Sequence, residues 1–383
     1  MTHTHLLLCN LRTSKFGAYE EFLVKFAERI QPNRLVVALV AIDDKEVMER
    51  FERSGVQIEY IPLWQNKSGA KSWNIIFPAI RLIRKWKPDS VAVHFGNELP
   101  TVALIVLSRM LAFRPVWIWH QHQQICDPGK ISRYINRVRI LALFVDQFVA
   151  VYEGGRKSLY KRGVAQKKIL VVHNGIVDHD LSEIKREDFE IGINKDSFVA
   201  LTVGWLVPRK RIDWVIKSWR QVMEHLGDKN AFLLIAGDGP KKNKLVQLTR
   251  ELGIERNVIF LGQRNDIRDV MRVADIYVHA AFAETCTYTI TESMCAGIPA
   301  VVTEAGAAYE QIEQGKSGFV VPPDDMKNFV SRIVELANNR ELRKRMGENA
   351  RRHWLLNYDL NSTVEPLIKL YESIGKQKGV LHD

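Results

Sequence analysis

Two glutamates, eight positions apart, are the first residues in this sequence that suggest chemistry. Glu284 and Glu292 stand in the stretch HAAFAETCTYTITESMCAGIPAVVT, which is otherwise apolar and rich in threonine. Such carboxylates could form an acid–base couple, hold one ligand together, or be unrelated surface charges. A carboxylate has two acceptor oxygens, so it can bridge neighbouring hydroxyls such as those of a ribose. The residue types alone leave these interpretations open.

A short run of cations follows another apolar segment. Arg209, Lys210 and Arg211 lie between a predicted strand at 198–206 and a predicted helix at 211–226. Cations at a helix start, together with the unpaired N–H groups there, are suited to binding a diphosphate. A solvated surface cluster is the alternative.

The elements that must position these residues alternate between strand and helix. In the second half, strands are predicted at 198–206, 231–239, 258–263, 276–280, 299–305 and 318–323, and helices near 211–226, 241–252, 266–273, 288–296 and 325–338. In the first half, strands are predicted at 5–11, 34–40, 56–63, 90–96, 115–122 and 146–152, and helices at 18–30, 75–86 and 101–113. This alternation predicts an α/β protein of two doubly wound, Rossmann-like domains with parallel sheets that face a central cleft. Ligands of such sheets bind at the carboxyl ends of the strands.

The length of 383 residues is sufficient for two domains, because single cores rarely grow past ~250 residues. We expect a first domain at 1–175, a linker at 176–196 and a second domain at 197–356. A C-terminal helix at 357–383 is expected to cross back to the first domain.

The composition, with 46% hydrophobic residues, is that of a globular protein, and no apolar run approaches the ~18 residues of a membrane span. The opening MTHTHLLLCNLRTSK has too short an apolar core for a signal peptide. The four cysteines show no metal-ligand spacing. We therefore expect a cytoplasmic protein with reduced thiols.

The net charge of +11 is concentrated locally. Six basic residues and no acidic one lie within 67–87, interleaved with tryptophan and aliphatic residues. Such a segment can lie on an anionic membrane surface, which would make the protein peripheral on the inner face of the membrane. An ordinary packed helix with a solvated basic face is the alternative. Nucleic-acid binding is not expected, since no recognised motif accompanies the charge.

A glycine pair follows the strand at 231–239. Gly237 and Gly239 in LLIAGDGP permit close backbone approach, and Pro240 can start a helix. The motif is not the dinucleotide fingerprint, because its third glycine would fall at Lys242.

The combination and order of these motifs resemble the retaining glycosyltransferases of family four, which have the GT-B fold. Between 198 and 356, five segments occur in the family's order and spacing: VGWLVPRK, LLIAGDGP, NVIFLGQRNDIRDVMRVADIYVHAAFAE, TESMCAGIPAVVT and GKSGFVVPPDD. Upstream, VAVYEGGRKSLYKRGVAQKKILVVHNGI resembles the end of the family's first domain. The resemblance implies metal-independent transfer of a sugar from a nucleotide-sugar co-substrate, such as a UDP- or GDP-sugar, with no further cofactor. The acceptor would be a carbohydrate or lipid-linked hydroxyl in polysaccharide, glycolipid or cell-envelope synthesis.

The resemblance also implies roles for individual residues. Glu292 would hold the ribose hydroxyls, and Glu284 would touch the donor sugar near the reacting centre. Lys210 would bind the diphosphate. In the first domain, His120 or His122 would lie near the transferred sugar. The remaining donor-binding positions would be Gly17, Gly204, Arg209, Gly239, Gly262, Arg264, Thr287, Tyr288 and Thr289.

Three positions depart from the family's usual pattern. Trp205 stands where the family usually has arginine, whose charge Arg209 or Arg211 could replace. Residues 286–288 read Cys-Thr-Tyr where a glycine-rich loop is usual, and the first domain opens with the single Gly17. A protein that kept the fold as a nucleotide-sugar-binding or scaffolding module, with weakened turnover, is therefore an alternative. A nicotinamide-dependent oxidoreductase is a further alternative, which the missing third glycine disfavours.

Overall fold

The computed structural model describes residues 3–13, 17–31, 33–61, 74–122, 136–178, 193–194, 196–227 and 230–379. The chain divides into two compact units, of which unit 1 comprises Met1–Gly175 with Leu360–Asp383 and unit 2 comprises Ile176–Asp359. Most of the predicted linker, at 179–192 and 195, lies outside the described residues, as does 67–73 of the basic segment. Within the described ranges, no helix is both long and apolar enough to cross a membrane.

Unit 1 is built on a parallel sheet with seven strands among its described residues, in the order β5-β3-β1-β6-β7-β8-β9. Its elements are β1 (Thr4–Cys9), β2 (Arg12–Thr13), α1 (Ala18–Arg29), β3 (Arg34–Leu39), β4 (Ala41–Ile42), α2 (Lys45–Arg53), β5 (Gln57–Tyr60), α3 (Ile76–Trp86), β6 (Ser90–His94), α4 (Glu98–Met110), β7 (Val116–Gln121), α5 (Arg137–Phe144), β8 (Gln147–Ala150), α6 (Glu153–Lys161), β9 (Ile169–Val171), and later α14 (Leu360–Thr363) and α15 (Glu365–Gly379).

The central strands of unit 1 are buried on both faces. Leu6 and Leu8 of β1 belong to a core that includes residues of α3, α4 and α5. Leu7, between them, faces a second core that includes residues of α1, α2 and α15. Successive strand residues point to opposite faces, so helices on both sides turn β1 into an almost continuous apolar run.

The C-terminal helix α15 belongs to this second core. Tyr371 packs edge-on against Phe26 of α1 with ring centroids 5.0 Å apart, and it meets His5 of β1 at 4.9 Å. Arg29 Nη2 donates to Glu365 Oε2 at 2.5 Å beside this packing. The last helix is thus held to unit 1 by apolar packing, with an ion pair at its edge.

Unit 2 contains a parallel sheet with six strands among its described residues, in the order β12-β11-β10-β13-β14-β15. Its elements are β10 (Phe198–Val203), α7 (Ile212–Leu226), β11 (Ala231–Ala236), α8 (Lys242–Glu251), β12 (Val258–Gly262), α9 (Ile267–Val273), β13 (Ile276–His279), α10 (Tyr288–Cys295), β14 (Ala300–Thr303), α11 (Ala308–Gln311), β15 (Gly318–Val321), α12 (Met326–Asn338) and α13 (Arg340–Asn357).

The strand order reverses once in each unit. In unit 1 the chain runs outward from β1 through β3 to β5 and then returns to β6 on the other side. In unit 2 it runs from β10 through β11 to β12 and returns to β13. Such reversals leave a crevice at the carboxyl ends of the strands, where α/β proteins bind ligands. The α/β class with parallel sheets, predicted from the alternation of elements, is confirmed.

Candidate active site

Two loops meet where the strand order of unit 2 reverses. β10 and β13 are neighbours in the sheet, and the chain leaves β10 at Gly204 and β13 at Ala280. The Phe282 N–H donates to the Arg209 carbonyl at 3.0 Å, which ties the second loop to the first. The cationic loop and the loop of the first glutamate, about 75 positions apart in sequence, are therefore adjacent in space.

Glu284 lies among three nitrogen-bearing side chains. Its Oε1 is 2.6 Å from Lys210 Nζ and 3.4 Å from Arg209 Nη1. His279 Nε2, at the end of β13, lies 3.5 Å from the same oxygen. The side chains of Lys210 and Glu284 are each only 12% exposed, so this ion pair is largely shielded from solvent.

The environment of Glu284 keeps it ionised. Burial alone would raise the pKa of Glu284, but the hydrogen bond from His279 and the charge of Lys210 outweigh burial and lower this pKa to about 2. A general acid that protonates a leaving group needs a raised pKa instead. Glu284 is therefore equipped to accept hydrogen bonds or balance positive charge, not to donate a proton.

A chain of hydrogen bonds lies behind Glu284. Tyr277 OH is 3.2 Å from His279 Nδ1 and 2.6 Å from Thr289 Oγ1 in the first turn of α10. Burial and the neighbouring Lys210 lower the pKa of His279 despite the opposing effect of Glu284, so the ring is neutral. In the tautomer with the proton on Nε2, Nδ1 accepts from Tyr277, and Nε2 lies 3.5 Å from Glu284 Oε1, which is longer than a regular hydrogen bond.

His279 and Tyr277 were missed by the sequence reasoning. They are two residues apart on β13, so their side chains share one face of the sheet. A histidine two positions after a tyrosine at a strand end, five residues before Glu284, is the signal that could have identified them.

The start of α10 is fixed by a buried amide. Gln311 accepts from the Thr287 N–H at 3.2 Å, and its Nε2 donates to the Thr287 carbonyl and to Thr291 Oγ1, both at 2.9 Å. Thr287 is the N-cap and Tyr288 the first helical residue. Glu292 is the fifth residue of the helix and half-buried. The structure thus brings Glu284, Lys210 and Arg209 into direct contact and places Glu292 on the helix that follows.

The glycines of the site allow backbone segments to approach closely. Gly237 has φ +139°, and a Cβ there would lie 2.0 Å from the Gly204 carbonyl oxygen. A Cβ at Gly239 would lie 2.8 Å from the Leu206 backbone. At Gly306, with φ +55°, a Cβ would lie 2.1 Å from the Thr285 carbonyl oxygen. The close approach anticipated for Gly237 and Gly239 is therefore to the 204–206 loop.

Other predicted donor-binding residues have contacts of their own. The methylenes of Lys210 lie over Gly204, 3.6 Å from where its Cβ would be. Gly262, with φ +68°, ends β12 and accepts the Gly237 N–H at 2.7 Å. Arg264 donates to both carboxylate oxygens of Asp266, with Nε at 2.8 Å from Oδ1. The Arg264 guanidinium is therefore already paired.

Arg211 does not replace the arginine that Trp205 displaces. Its guanidinium donates to the Pro323 carbonyl at 2.5 Å and to Asp324 Oδ1 at 2.8 Å. It also lies between two aromatic rings, 4.1 Å from the Phe282 centroid and 4.9 Å from that of Trp214. Arg211 is thus a buried structural residue, which leaves Arg209 as the second cation beside Glu284.

The predicted histidines of unit 1 belong to a larger cluster. The rings of His120 and His122 lie 14° from parallel with centroids 5.9 Å apart. His94, which the sequence reasoning missed, stacks on His120 at 3.8 Å, and its Nδ1 is 3.0 Å from His122 Nε2. Gly17 is the N-cap of α1, and its N–H donates to Glu20 Oε2 at 3.1 Å.

Comparison with known proteins identifies the family. The sequence model of Glycosyltransferase Family 4 matches residues 20–180, and that of Glycosyl transferases group 1 matches residues 183–353. The chain is 24% identical over 330 residues to the UDP-Gal:alpha-D-GlcNAc-diphosphoundecaprenol alpha-1,3-galactosyltransferase of Escherichia coli, covering 82% of this chain and 84% of that protein. It is 26% identical over 190 residues to the N-acetyl-alpha-D-glucosaminyl L-malate synthase of Bacillus anthracis, a match that spans 48% of this chain and 48% of that enzyme.

The fold is also shared with solved structures. A crystal structure of HepE from Anabaena in complex with UDP has a TM-score of 0.78 at 20% identity, over 97% of this chain and 100% of that one. WaaG, a glycosyltransferase involved in lipopolysaccharide biosynthesis, has a TM-score of 0.70 at 18% identity, over 95% and 99% of the two chains. With two family models that together match nearly all of residues 20–353, this chain belongs to glycosyltransferase family four and has its GT-B fold.

Proposed function

We propose that this protein is a retaining, metal-independent glycosyltransferase that moves a sugar from a nucleotide-diphosphate sugar to an acceptor hydroxyl. The observation that carries the proposal is the shielded contact of Lys210 with Glu284 at the β10–β13 reversal. A cation and a carboxylate that is ionised at neutral pH, side by side, can bind the two parts of the donor that carry opposite charge in the transition state. The family assignment supports the same activity.

The leaving diphosphate would be bound by the cations of the first loop. As the bond between the sugar C1 and the phosphate oxygen breaks, negative charge grows on the diphosphate and positive charge on the sugar. Lys210, Arg209 and the first N–H groups of α10 are the groups proposed to stabilise the diphosphate in place of a metal ion. One such preorganised contact contributes about 3–4 kcal/mol in comparable sites, or about 10²–10³ in rate.

The carboxylates would hold the rest of the donor. Glu284 is proposed to accept hydrogen bonds from the sugar and to balance its positive charge, and Glu292 to bind the ribose hydroxyls. The acceptor hydroxyl would attack C1 on the face that the diphosphate leaves, which retains the configuration. Its proton would pass to the departing phosphate oxygen. In unit 1, His120 or His122 is proposed to lie near the transferred sugar.

The donor and acceptor classes follow from the relatives. HepE was solved with UDP, which supports a UDP-sugar or a related nucleotide sugar as the co-substrate here. The galactosyltransferase relative is named for a diphosphoundecaprenol acceptor, and WaaG for lipopolysaccharide biosynthesis. These names support a lipid-linked or carbohydrate acceptor in cell-envelope or glycolipid synthesis.

Helix α3 is the described part of the proposed membrane-contacting segment 67–87. Its exposed residues Phe77, Arg81, Arg84 and Lys85 follow helical spacing along one face, and Phe77 is 78% exposed. Trp86 is instead half-buried, and its Nε1–H donates to Glu59 at 2.8 Å. Lys85 Nζ pairs with Glu59 Oε1 at 2.5 Å, so part of the positive charge of this face is balanced. A face with one large apolar side chain and the cations Arg81 and Arg84 fits an anionic membrane surface, and we propose peripheral attachment from the cytoplasm.

The activity is tested with the full chain and a panel of UDP-, GDP- and ADP-sugars. A thermal-shift screen identifies the donor, and release of the nucleoside diphosphate measures turnover. Lys210→Ala is expected to lower kcat/KM by about 10²–10³. Lys217→Ala, at an exposed position of α7, is the matched control and should leave kcat/KM unchanged. The proposal would be refuted if none of the donors both binds and turns over. It would also be refuted if Lys210→Ala and Lys217→Ala were equally active.

One observation favours the binding-module alternative. Trp205 is 61% exposed at the position where the family usually has arginine, and Arg211 is committed to Asp324. Among the described residues, the charge of the family's usual arginine would therefore have to come from Arg209, whose side chain is 52% exposed. A nucleotide sugar that binds saturably without turnover under every acceptor condition would support this second function.

A further inference from the structure

Three histidines crowd the carboxyl edge of the unit 1 sheet. His94 ends β6 beside the reversal of strand order, and His120 lies directly opposite it on β7. His122 follows two residues later and so points to the same face as His120. One ring nitrogen from each of the three can be chosen so that all lie within 4.8 Å of one another.

The three rings are neutral. Burial, followed by the neighbouring histidines, lowers the pKa of His94 and His120 well below the usual value. Burial likewise lowers the pKa of His122 to about 3. A neutral imidazole keeps a lone pair on one nitrogen, which is the form that binds transition metals.

Two of these nitrogens have unmet bonding capacity. Nε2 of His94 and Nε2 of His120 are buried without a hydrogen-bond partner among the described residues. His94 is fully buried and His120 is 4% exposed. Leaving a buried polar atom unsatisfied costs about 1–3 kcal/mol, so two such atoms side by side indicate a missing partner.

The surroundings of His94 supply a further feature of a metal ligand. Tyr19 OH lies 2.9 Å from His94 Nδ1, so the Nδ1–H can donate to the tyrosine oxygen. In the tautomer in which Nδ1–H donates to Tyr19 OH or to His122 Nε2, which is 3.0 Å away, Nε2 of His94 carries the lone pair. Metal-binding histidines usually donate their other ring N–H to an oxygen in this way.

We propose that His94, His120 and His122 form a binding site for a divalent transition metal, with zinc as the best-fitting ion. Three neutral imidazoles that leave a fourth position open are an established zinc ligand set. Zinc–nitrogen bonds of about 2.0–2.1 Å in a tetrahedral site place the nitrogens about 3.3 Å apart. The planes of His94 and His120 lie 21° apart at 3.8 Å, so binding requires one ring to turn about its Cβ–Cγ bond.

The site consists of unit 1 residues alone. Two of its ligands, His120 and His122, are also the histidines proposed to lie near the transferred sugar, and no step of sugar transfer is assigned to the metal. Titration with zinc measures metal binding without sugar transfer, so its outcome is separate from that of the donor screen. The open fourth position would accept water or an oxygen of a ligand.

The test is isothermal titration of the untagged, chelator-stripped full chain with zinc chloride. We expect one zinc per chain, and cobalt substitution should give the visible absorption of a tetrahedral ion. His122→Gln changes the least buried of the three and should weaken zinc binding by at least about 100-fold, since loss of an outer contact alone costs about 10–100-fold. Tyr19→Phe keeps all three ligands and should weaken it by about 10–100-fold.

The control is His225→Gln, at an exposed position of α7, which should not change zinc affinity. Circular dichroism verifies that each variant is folded, and Tyr19→Phe is decisive if His122→Gln does not fold. No saturable binding by the native chain, or unchanged affinity in a folded His122→Gln, would overturn the proposal. Equal weakening in His225→Gln would also overturn it, because the zinc would then lie elsewhere.

Discussion

The Glu284 side chain is only 12% exposed, and replacing Lys210 by methionine would remove its closest cation. The pKa of Glu284 is lowered from 4.5 to about 2 by its surroundings, which corresponds to about 3 kcal/mol at about 1.4 kcal/mol per pH unit. Lys210 shares this effect with His279, so we expect Lys210→Met to reduce the free energy of unfolding by at most about 3 kcal/mol at neutral pH, because a buried charge loses its closest cation. Glu284→Gln should cost a similar amount.

The double variant Lys210→Met/Glu284→Gln distinguishes a true ion pair from two independent sites. It buries no unpaired charge, so it should cost about 1 kcal/mol or less, well below the sum of the single variants. Urea titrations of the full chain, followed by circular dichroism, measure all four members of the cycle. If the destabilisation of the double variant equals the sum of the two single variants, Lys210 and Glu284 do not act as an ion pair and the reasoning is refuted.

The stability that ionised Glu284 contributes should also depend on pH, in a direction set by its lowered pKa. The pKa of Glu284 is lower in the folded than in the unfolded state, so its contribution is complete above the unfolded value of 4.5. It is lost as the pH falls from about 4.5 to about 2, and the stability gap between the native chain and Glu284→Gln should close over that range.

The matched control for the double-variant cycle is the exposed pair Arg220 and Glu224 on α7, which are 3.2 Å apart. The cycle on this pair should give a coupling of less than about 1 kcal/mol.

Three further predictions concern function. His279→Leu should raise the pKa of Glu284, because His279 is one of the groups that lower it, and should reduce kcat. An acid limb of the pH–rate profile that does not move would count against this role. Glu292→Ala should weaken nucleotide-sugar binding by about 10–100-fold in isothermal titration, and unchanged affinity would exclude the ribose role. The double variant Arg81→Glu/Arg84→Glu should abolish flotation with anionic vesicles at low salt, because each cation near such a surface contributes about 1 kcal/mol to binding. If the variant still floats with the vesicles, α3 is not the membrane contact.

The fold was predictable because its strands carry their own signal. β10 and β11 are buried along their whole length, so they read as apolar runs between helical segments. Helix α13 was not predicted, because only four of its 18 residues are buried and charged residues occupy most of the rest. The paired strands β2 and β4 are two residues long, which is too short for any periodicity.

The site was predictable only in part. The glutamates and the cationic loop could be identified from sequence, because the carboxyl ends of strands that flank a reversal bring their loops together. His279 and Tyr277 were missed, since a histidine in an apolar strand is usually a core residue and their spacing alone does not show the contact with Glu284. Nor does the sequence show that Arg211 bonds to Asp324, because the partner is 113 positions away in the chain.

The contact between Lys210 and Glu284 has a consequence for donor binding under the proposed function. Without a donor, the carboxylate satisfies the lysine that the diphosphate would need, so binding exchanges one anion for another and Lys210 is never buried unpaired. Glu284 would then lose its strongest cation while His279 stays 3.5 Å away to hold its charge and direction. The oxygen released by Lys210 becomes available to the sugar at the moment the diphosphate arrives. In this way the pairing would couple diphosphate binding to recognition of the sugar, and the hydrogen bonds from Thr289 through Tyr277 to His279 would keep Glu284 in place during the exchange.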